Sequence, residues 1–127
     1  MKYMGIDYGT KRVGIAISDE DASFAFPKAI LGSGNKLIEE IVAIATREQV
    51  AAIIIGESIA SNEVENTVAQ KVQAFKAKLA VAAGLPIFFQ REDFSSVEAH
   101  RYQTTAGNRD DSAAAVILQR FLDKKIK

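Results

Sequence analysis

Met4-Gly5-Ile6-Asp7-Tyr8-Gly9-Thr10-Lys11-Arg12-Val13-Gly14-Ile15-Ala16-Ile17-Ser18 reads as two apolar strands joined by a tight turn, with a single carboxylate, Asp7, at the end of the first. A carboxylate at a strand end is held by rigid backbone. The Gly-Thr-Lys-Arg turn beside it offers backbone N–H groups and two cations, Lys11 and Arg12, suited to phosphate. One reading is therefore a metal or phosphate site. The other is an ordinary hairpin in which Asp7 and Thr10 organise the turn through side-chain-to-backbone hydrogen bonds. The remainder of the chain decides between them.

At 127 residues, 48% hydrophobic and 25% charged, the chain reads as one compact domain (1–127), able to bury roughly two thirds of its unfolded surface. It has no Cys and one His, His100, which excludes a disulfide scaffold, thiolate zinc sites and a His-rich metal cluster. Any metal must be held by oxygen, which favours Mg²⁺ or Mn²⁺. Lys+Arg and Asp+Glu balance at 16 each, so nucleic acid would be met by a local patch rather than by the whole-molecule field. No leader pattern opens the chain and no stretch reaches the length of a membrane span, so a cytoplasmic location without a membrane partner is expected. A monomer and a homodimer are equally compatible with the sequence.

Three strands are predicted first: Lys2 to Tyr8, Arg12 to Ser18 and Ser23 to Ile30, the last placed at a sheet edge by Pro27. Leu37, Ile38, Ile41, Val42 and Ala45 then recur at helical spacing between Asn35 and Glu48. Val50 to Gly56 is an unbroken apolar run, the mark of a strand covered on both faces. Asn62 and Glu65 form a capping-box-like start for a helix carrying Val64, Val68, Val72, Phe75 and Leu79, stopped by Gly84 and Pro86. Pro86 to Arg91 is a fifth strand. Ser95 and Glu98 open a short helix to about Gln103, and Asn108 starts a last helix to about Lys124.

An antiparallel meander followed by strand-helix alternation with right-handed crossovers builds a mixed five-stranded sheet with helices on both faces. The expected order is 3-2-1-4-5 with strand 2 antiparallel, an α/β arrangement of the ribonuclease H-like type. It brings the carboxyl ends of strands one, four and five together, and with them Asp7, Glu57 and Glu92. Asp93 follows Glu92, and Asp110 and Asp111 lie in the first turn of the last helix. Converging carboxylates repel unless a cation neutralises them, so the pattern implies a divalent metal. Singly, each acid has a plainer use: Asp111 as a helix cap, Glu57, Glu92 and Asp93 as solvated charges.

The chain resembles the YqgF family of Holliday-junction resolvases and pre-16S ribosomal RNA nucleases, over nearly its whole length. The segment Gly5 to Asp19 matches that family's opening almost position by position, with Ala25, Pro27 and Ile30 where it has small, Pro and apolar residues. Asp110-Asp111-Ser112-Ala113-Ala114-Ala115-Val116-Ile117-Leu118-Gln119 is similar to its last helix, whose acid lies nine residues before the Gln. By this resemblance Asp7, Glu92 and Asp110 are the catalytic, metal-binding acids of an endonuclease using two metal ions, with Glu57 and Asp111 as additional candidates. Two departures stand out. The family's Asp and Arg flanking the strand-five Glu are exchanged as Arg91 and Asp93, and its Gly-Leu-Pro loop after strand four is Gly56-Glu57-Ser58. Residues two apart on an extended segment share a face, so the exchange alters substrate contacts more than metal binding.

Lys11, Arg12, Arg91 and Arg109 are the expected phosphate contacts to structured nucleic acid, either pre-rRNA or branched DNA. Two other functions fit the same fold. One is a non-catalytic nucleic-acid or ribosome-associated factor; the other is an ATP-phosphate-binding domain of the sugar kinase, actin and Hsp70 class. Those proteins close two such domains over the nucleotide, and 127 residues supply only one.

Overall fold

The computed structural model describes residues 1–9, 11–58, 63–92 and 110–126, with positions 57, 58, 63–69, 91, 92, 110–112, 125 and 126 described by backbone alone. Strands β1 (Lys2–Tyr8), β2 (Arg12–Ser18) and β3 (Ala25–Gly32) precede helix α1 (Leu37–Glu48). Then come β4 (Val50–Ser58), α2 (Glu63–Ala83), β5 (Ile87–Glu92) and α3 (Asp110–Ile126). The sheet order is β3-β2-β1-β4-β5, with β1 antiparallel to β2, β2 antiparallel to β3, and the β1–β4 and β4–β5 pairs parallel. This is the mixed sheet expected from the sequence. Pro27 does lie on an edge strand, beside an irregularity in the β2–β3 register between Ile15 and Ala16.

Each face of the sheet buries its own core. Met4, Ile6, Val13, Ile15, Ile53 and Ile55 pack with Leu37, Ile41 and Ile44 of α1 and with Val72, Phe75 and Leu79 of α2. On the other face Tyr3, Ala16, Ala52 and Ile54 pack with Ala114, Ile117, Leu118 and Leu122 of α3. The two sets alternate along β1 and β4, as a strand covered on both faces requires.

Element boundaries differ from the sequence reading where local signals are weak. β4 extends to Ser58 and β5 to Glu92, so Glu57 sits within a strand rather than in a loop. Their parallel pairing, with Glu57 opposite Arg91 and Ser58 opposite Glu92, supplies ladder hydrogen bonds that outweigh the poor strand propensity of these residues. α1 begins at Leu37 without a side-chain cap and ends at Gln49 in the left-handed conformation, φ 57°. α2 stops before Gly84, φ 66°, whose N–H donates to the Ala80 carbonyl at 3.0 Å. The short helix expected near Ser95 to Gln103 lies outside the described residues.

Candidate active site

Strand parity decides which residues can meet. On β1 the face that carries Tyr3 and Gly5 also carries Asp7, because side chains alternate. That face is the one α3 covers. Asp7 pairs with Gly14 of β2, and Gly56 follows Ile55, the β4 partner of Ile6. Gln90 of β5 pairs with Gly56 and is buried. One row thus crosses four strands as Gly14, Asp7, Gly56 and Gln90, with glycine on either side of a half-buried acid. Position 92 shares the parity of Phe88 and Gln90, so it falls on the α3 face beyond that row. Position 57 has the opposite parity, that of Ile53 and Ile55, and position 91 that of Ile87 and Phe89.

The contacts of α3 fix its direction. Phe121 meets Tyr3 edge-on, ring centroids 6.2 Å apart, and stacks on Phe88 at 5.7 Å. Nearer its start, Leu118 and the Ala114 carbonyl lie over Gly5, and Ile117 lies over Gly56. The helix therefore runs against β1, and its first turn points to the carboxyl ends of β1, β4 and β5. From Ala114 back to position 110 is about 6 Å of helix rise, and from Gly5 on to Asp7 is about 6.6 Å of strand. The first turn of α3 therefore lies toward the end of β1 that bears Asp7.

The fully buried positions of α3, Ala114, Ile117, Leu118 and Leu122, form a broad stripe. At 100° per residue, positions 110 and 111 lie on its two flanks. Position 110 continues the flank of Ile117 and Phe121, which face β4 and β5. Position 111 continues that of Leu118, which faces β1. The helix face alone does not separate the two acids; what separates them is that position 110 lies on the side of Glu92.

The turn after Asp7 is tight. A Cβ on Gly9 would collide with the Arg12 carbonyl, and the Lys11 carbonyl accepts the Ser33 N–H at 3.0 Å, tying the turn to the end of β3. Lys11 and Arg12 are exposed here, beside the strand end that bears Asp7. Thr10 and Arg109 lie outside the described residues. Among the described side chains no group of three or more metal-ligating residues converges, and Glu57, Glu92, Asp110 and Asp111 are not among those side chains.

One residue does more than its spacing suggests. Gln119 Oε1 accepts the Ala25 N–H at 2.9 Å, while Nε2 donates to the Ser23 carbonyl at 2.8 Å and to Asp123 Oδ1 at 3.1 Å. The segment it grips is itself braced, since Asp19 Oδ1 accepts N–H bonds from Ser23 at 2.8 Å and Phe24 at 3.3 Å. The Ser23 N–H, with Phe24 adding to it, holds the exposed Asp19 carboxyl below its ordinary range. In the sequence Gln119 is only a marker nine residues after Asp110; with Arg120 it breaks the apolar run of Ala113 to Leu118, and that break is the available signal.

The topology and the helix placement define a ribonuclease H-like domain. Two solved structures share it: T. thermophilus RuvC in complex with a Holliday junction substrate, at TM-score 0.67 and 16% identity over 99% of this chain and 96% of that one, and the fowlpox virus Holliday junction resolvase, at TM-score 0.55 and 16% identity over the whole of both. Residues 1–124 match the family model RuvX, described as Holliday junction resolvase. A protein of Nitratidesulfovibrio vulgaris named "Putative pre-16S rRNA nuclease" is 34% identical over 97% of this chain and 94% of its own length, and one of the same name from Dehalococcoides mccartyi is 36% identical over 91% and 93%. The chain belongs to the RuvX/YqgF family of Holliday junction resolvases and pre-16S rRNA nucleases. That membership sets it apart from the sugar kinase, actin and Hsp70 class.

Proposed function

We propose that this domain is a divalent-metal-dependent endonuclease of structured nucleic acid, with pre-16S rRNA as its first substrate and branched DNA as the comparison substrate. The observation that supports the reading is the placement of backbone positions. Position 7 on β1 and position 92 on β5, with β4 between them, lie at one end of the sheet face that α3 covers, toward which the first turn of α3 points, while position 57 is on the other face. Asp7, Glu92 and Asp110 are assigned as the acidic centre, and Glu57 and Asp111 as neighbours outside it. Curated relatives at 31–36% identity carry the rRNA-nuclease name, which favours RNA over DNA.

A chain without Cys and with one His offers the acids as an oxygen donor set here, which favours Mg²⁺ or Mn²⁺. When bound, such a cation neutralises the phosphodiester and promotes water attack, and a pair of them would also stabilise the leaving oxygen. The chain's own part is preorganisation. Asp7 is fixed by the central strand, and the glycine at position 56 beside it leaves the room that Ile117 fills, so α3 seats close to the strand end that bears the acid. Lys11 and Arg12 hold phosphates along the turn, with Arg109 assigned to the same track; position 91 shares the face of Glu57, so Arg91 falls outside it. No helix among the described residues is long and apolar enough to cross a membrane. A cytoplasmic protein acting on ribosomal RNA is the consistent reading.

The test is cleavage by purified protein of a pre-16S rRNA leader and of a four-way DNA junction, with Mg²⁺, with Mn²⁺ and with EDTA. Metal-dependent cuts in the RNA that Asp7→Asn removes are expected. Tight, metal-independent binding without turnover would instead identify a non-catalytic ribosome-associated factor.

A further inference from the structure

We infer that Gln119 is a positioning residue: its carboxamide, locked to the β2–β3 connection, sets the axial height and rotation of α3 and thereby where the first turn of that helix presents Asp110. The inference rests on the proposed acidic centre and deepens it.

Two kinds of contact hold α3. Over Gly5 and Gly56 the contact is apolar and close: a Cβ at Gly5 would lie 2.7 Å from Leu118 Cβ and 2.9 Å from the Ala114 carbonyl oxygen. Such packing fixes how near the helix comes to the sheet. It also resists sliding, but being non-directional it fixes axial height and rotation less sharply than a hydrogen bond does. Gln119 supplies the directional restraint. Its oxygen and nitrogen are both committed to backbone atoms, the Ala25 N–H at 2.9 Å and the Ser23 carbonyl at 2.8 Å, and such a fork is satisfied over a narrow range of height and rotation. Asp123 Oδ1, 3.1 Å from Nε2, fixes which end of the carboxamide carries the donor.

The platform it grips is itself hydrogen-bonded. Ser23 and Phe24 are held by Asp19, and Ala22, at φ 59°, donates to the Asp19 carbonyl at 3.1 Å. From Gln119 to position 110 the helix spans about 13.5 Å without a break. A rigid rod transmits the fork's register to its first turn. A carboxylate misplaced by about 1 Å is enough to disturb ligand geometry.

The experiment compares wild type, Gln119→Ala, Gln119→Met and Asp123→Ala in Mn²⁺-dependent cleavage and in direct Mn²⁺ binding by calorimetry, at a temperature where melts show all four folded. Release of the fork is expected to raise the Mn²⁺ concentration for half-maximal cleavage and the calorimetric Kd at least fivefold and to lower kcat, leaving the KM for RNA within twofold. Asp123→Ala, at an exposed position, should give a smaller shift in the same direction. A fall in Tm with an unchanged Mn²⁺ midpoint in both Gln119→Met and Asp123→Ala would overturn the inference. Failure of the acidic centre itself looks different: Asp7→Asn and Asp110→Asn would then leave Mn²⁺ binding unchanged as well.

Discussion

Leu118 lies so close above Gly5 that the two leave no room for a methyl group: a Cβ at Gly5 would stand 2.7 Å from Leu118 Cβ. Because the Ala114 carbonyl, 2.9 Å away, is backbone, relief requires the whole of α3 to lift. Gly5→Ala is expected to destabilise the fold by about 1 to 3 kcal/mol, the usual cost of overpacking, and to lower activity even at temperatures where the variant is folded. Chemical denaturation and cleavage assays on one preparation check both parts.

Asp7→Asn should reduce cleavage on the order of 10²-fold or more, the scale of losing one preorganised electrostatic element of an active site. Its melting temperature should stay near that of wild type, since Asp7 is half-buried at a strand end rather than in either core. Wild-type rates in the folded variant would rule out a carboxylate centre on β1.

Neutralising Lys11 and Arg12 together should weaken RNA binding and flatten its dependence on salt, by about 0.7 to 0.9 in the log–log slope for each phosphate that is no longer neutralised. Net charge is zero, so local cations carry the attraction. An unchanged slope in filter binding across a salt series would place the phosphate track elsewhere.

Asp110→Asn should suppress Mn²⁺ binding and cleavage with little loss of stability. Asp111→Asn, on the flank of the helix away from Glu92, should largely spare activity and lower stability by roughly 0.5 to 1 kcal/mol through the helix dipole. Calorimetric metal titration paired with thermal melts separates the two, and the reverse pattern would reassign the acid.

Glu48 bridges two cations, Lys28 Nζ at 2.9 Å and Lys2 Nζ at 3.2 Å, and so links α1 to β3 and β1. Lys28 first and Lys2 second hold its carboxyl below the ordinary value of 4.5. A depressed folded-state value means stability fully present above the unfolded value and lost as pH falls below about 4.5 through the folded one. Glu48→Gln should therefore melt lower at pH 7, by the equivalent of about 0.2 to 1 kcal/mol for each ion pair, and show a shallower decline in Tm between pH 5 and pH 3. Parallel acid limbs for the two proteins would contradict the linkage.

By itself the sequence determined the strands, their order and the acid on the central strand. Those features are written in short-range signals: period-two alternation through Gly5 to Ser18, the apolar run of β4, Pro27 at the edge and Gly84 after α2. It also contained Asp7, Asp110 and Gln119 at family spacing, but not what they touch. Only the tertiary structure decided three things. Parallel pairing drew Glu57 and Glu92 into strands and so onto opposite faces, because a strand assigns faces by count from its partner and not by residue type. The buried stripe of α3 proved wide enough to include both flanks on which positions 110 and 111 lie, because two strands, β1 and β4, lie beneath it at Gly5 and Gly56. The role of Gln119 arises from a partner 94 residues away along the chain, Ala25. Such a hydrogen bond exists only after the sheet and helix have packed, and local sequence holds no record of it.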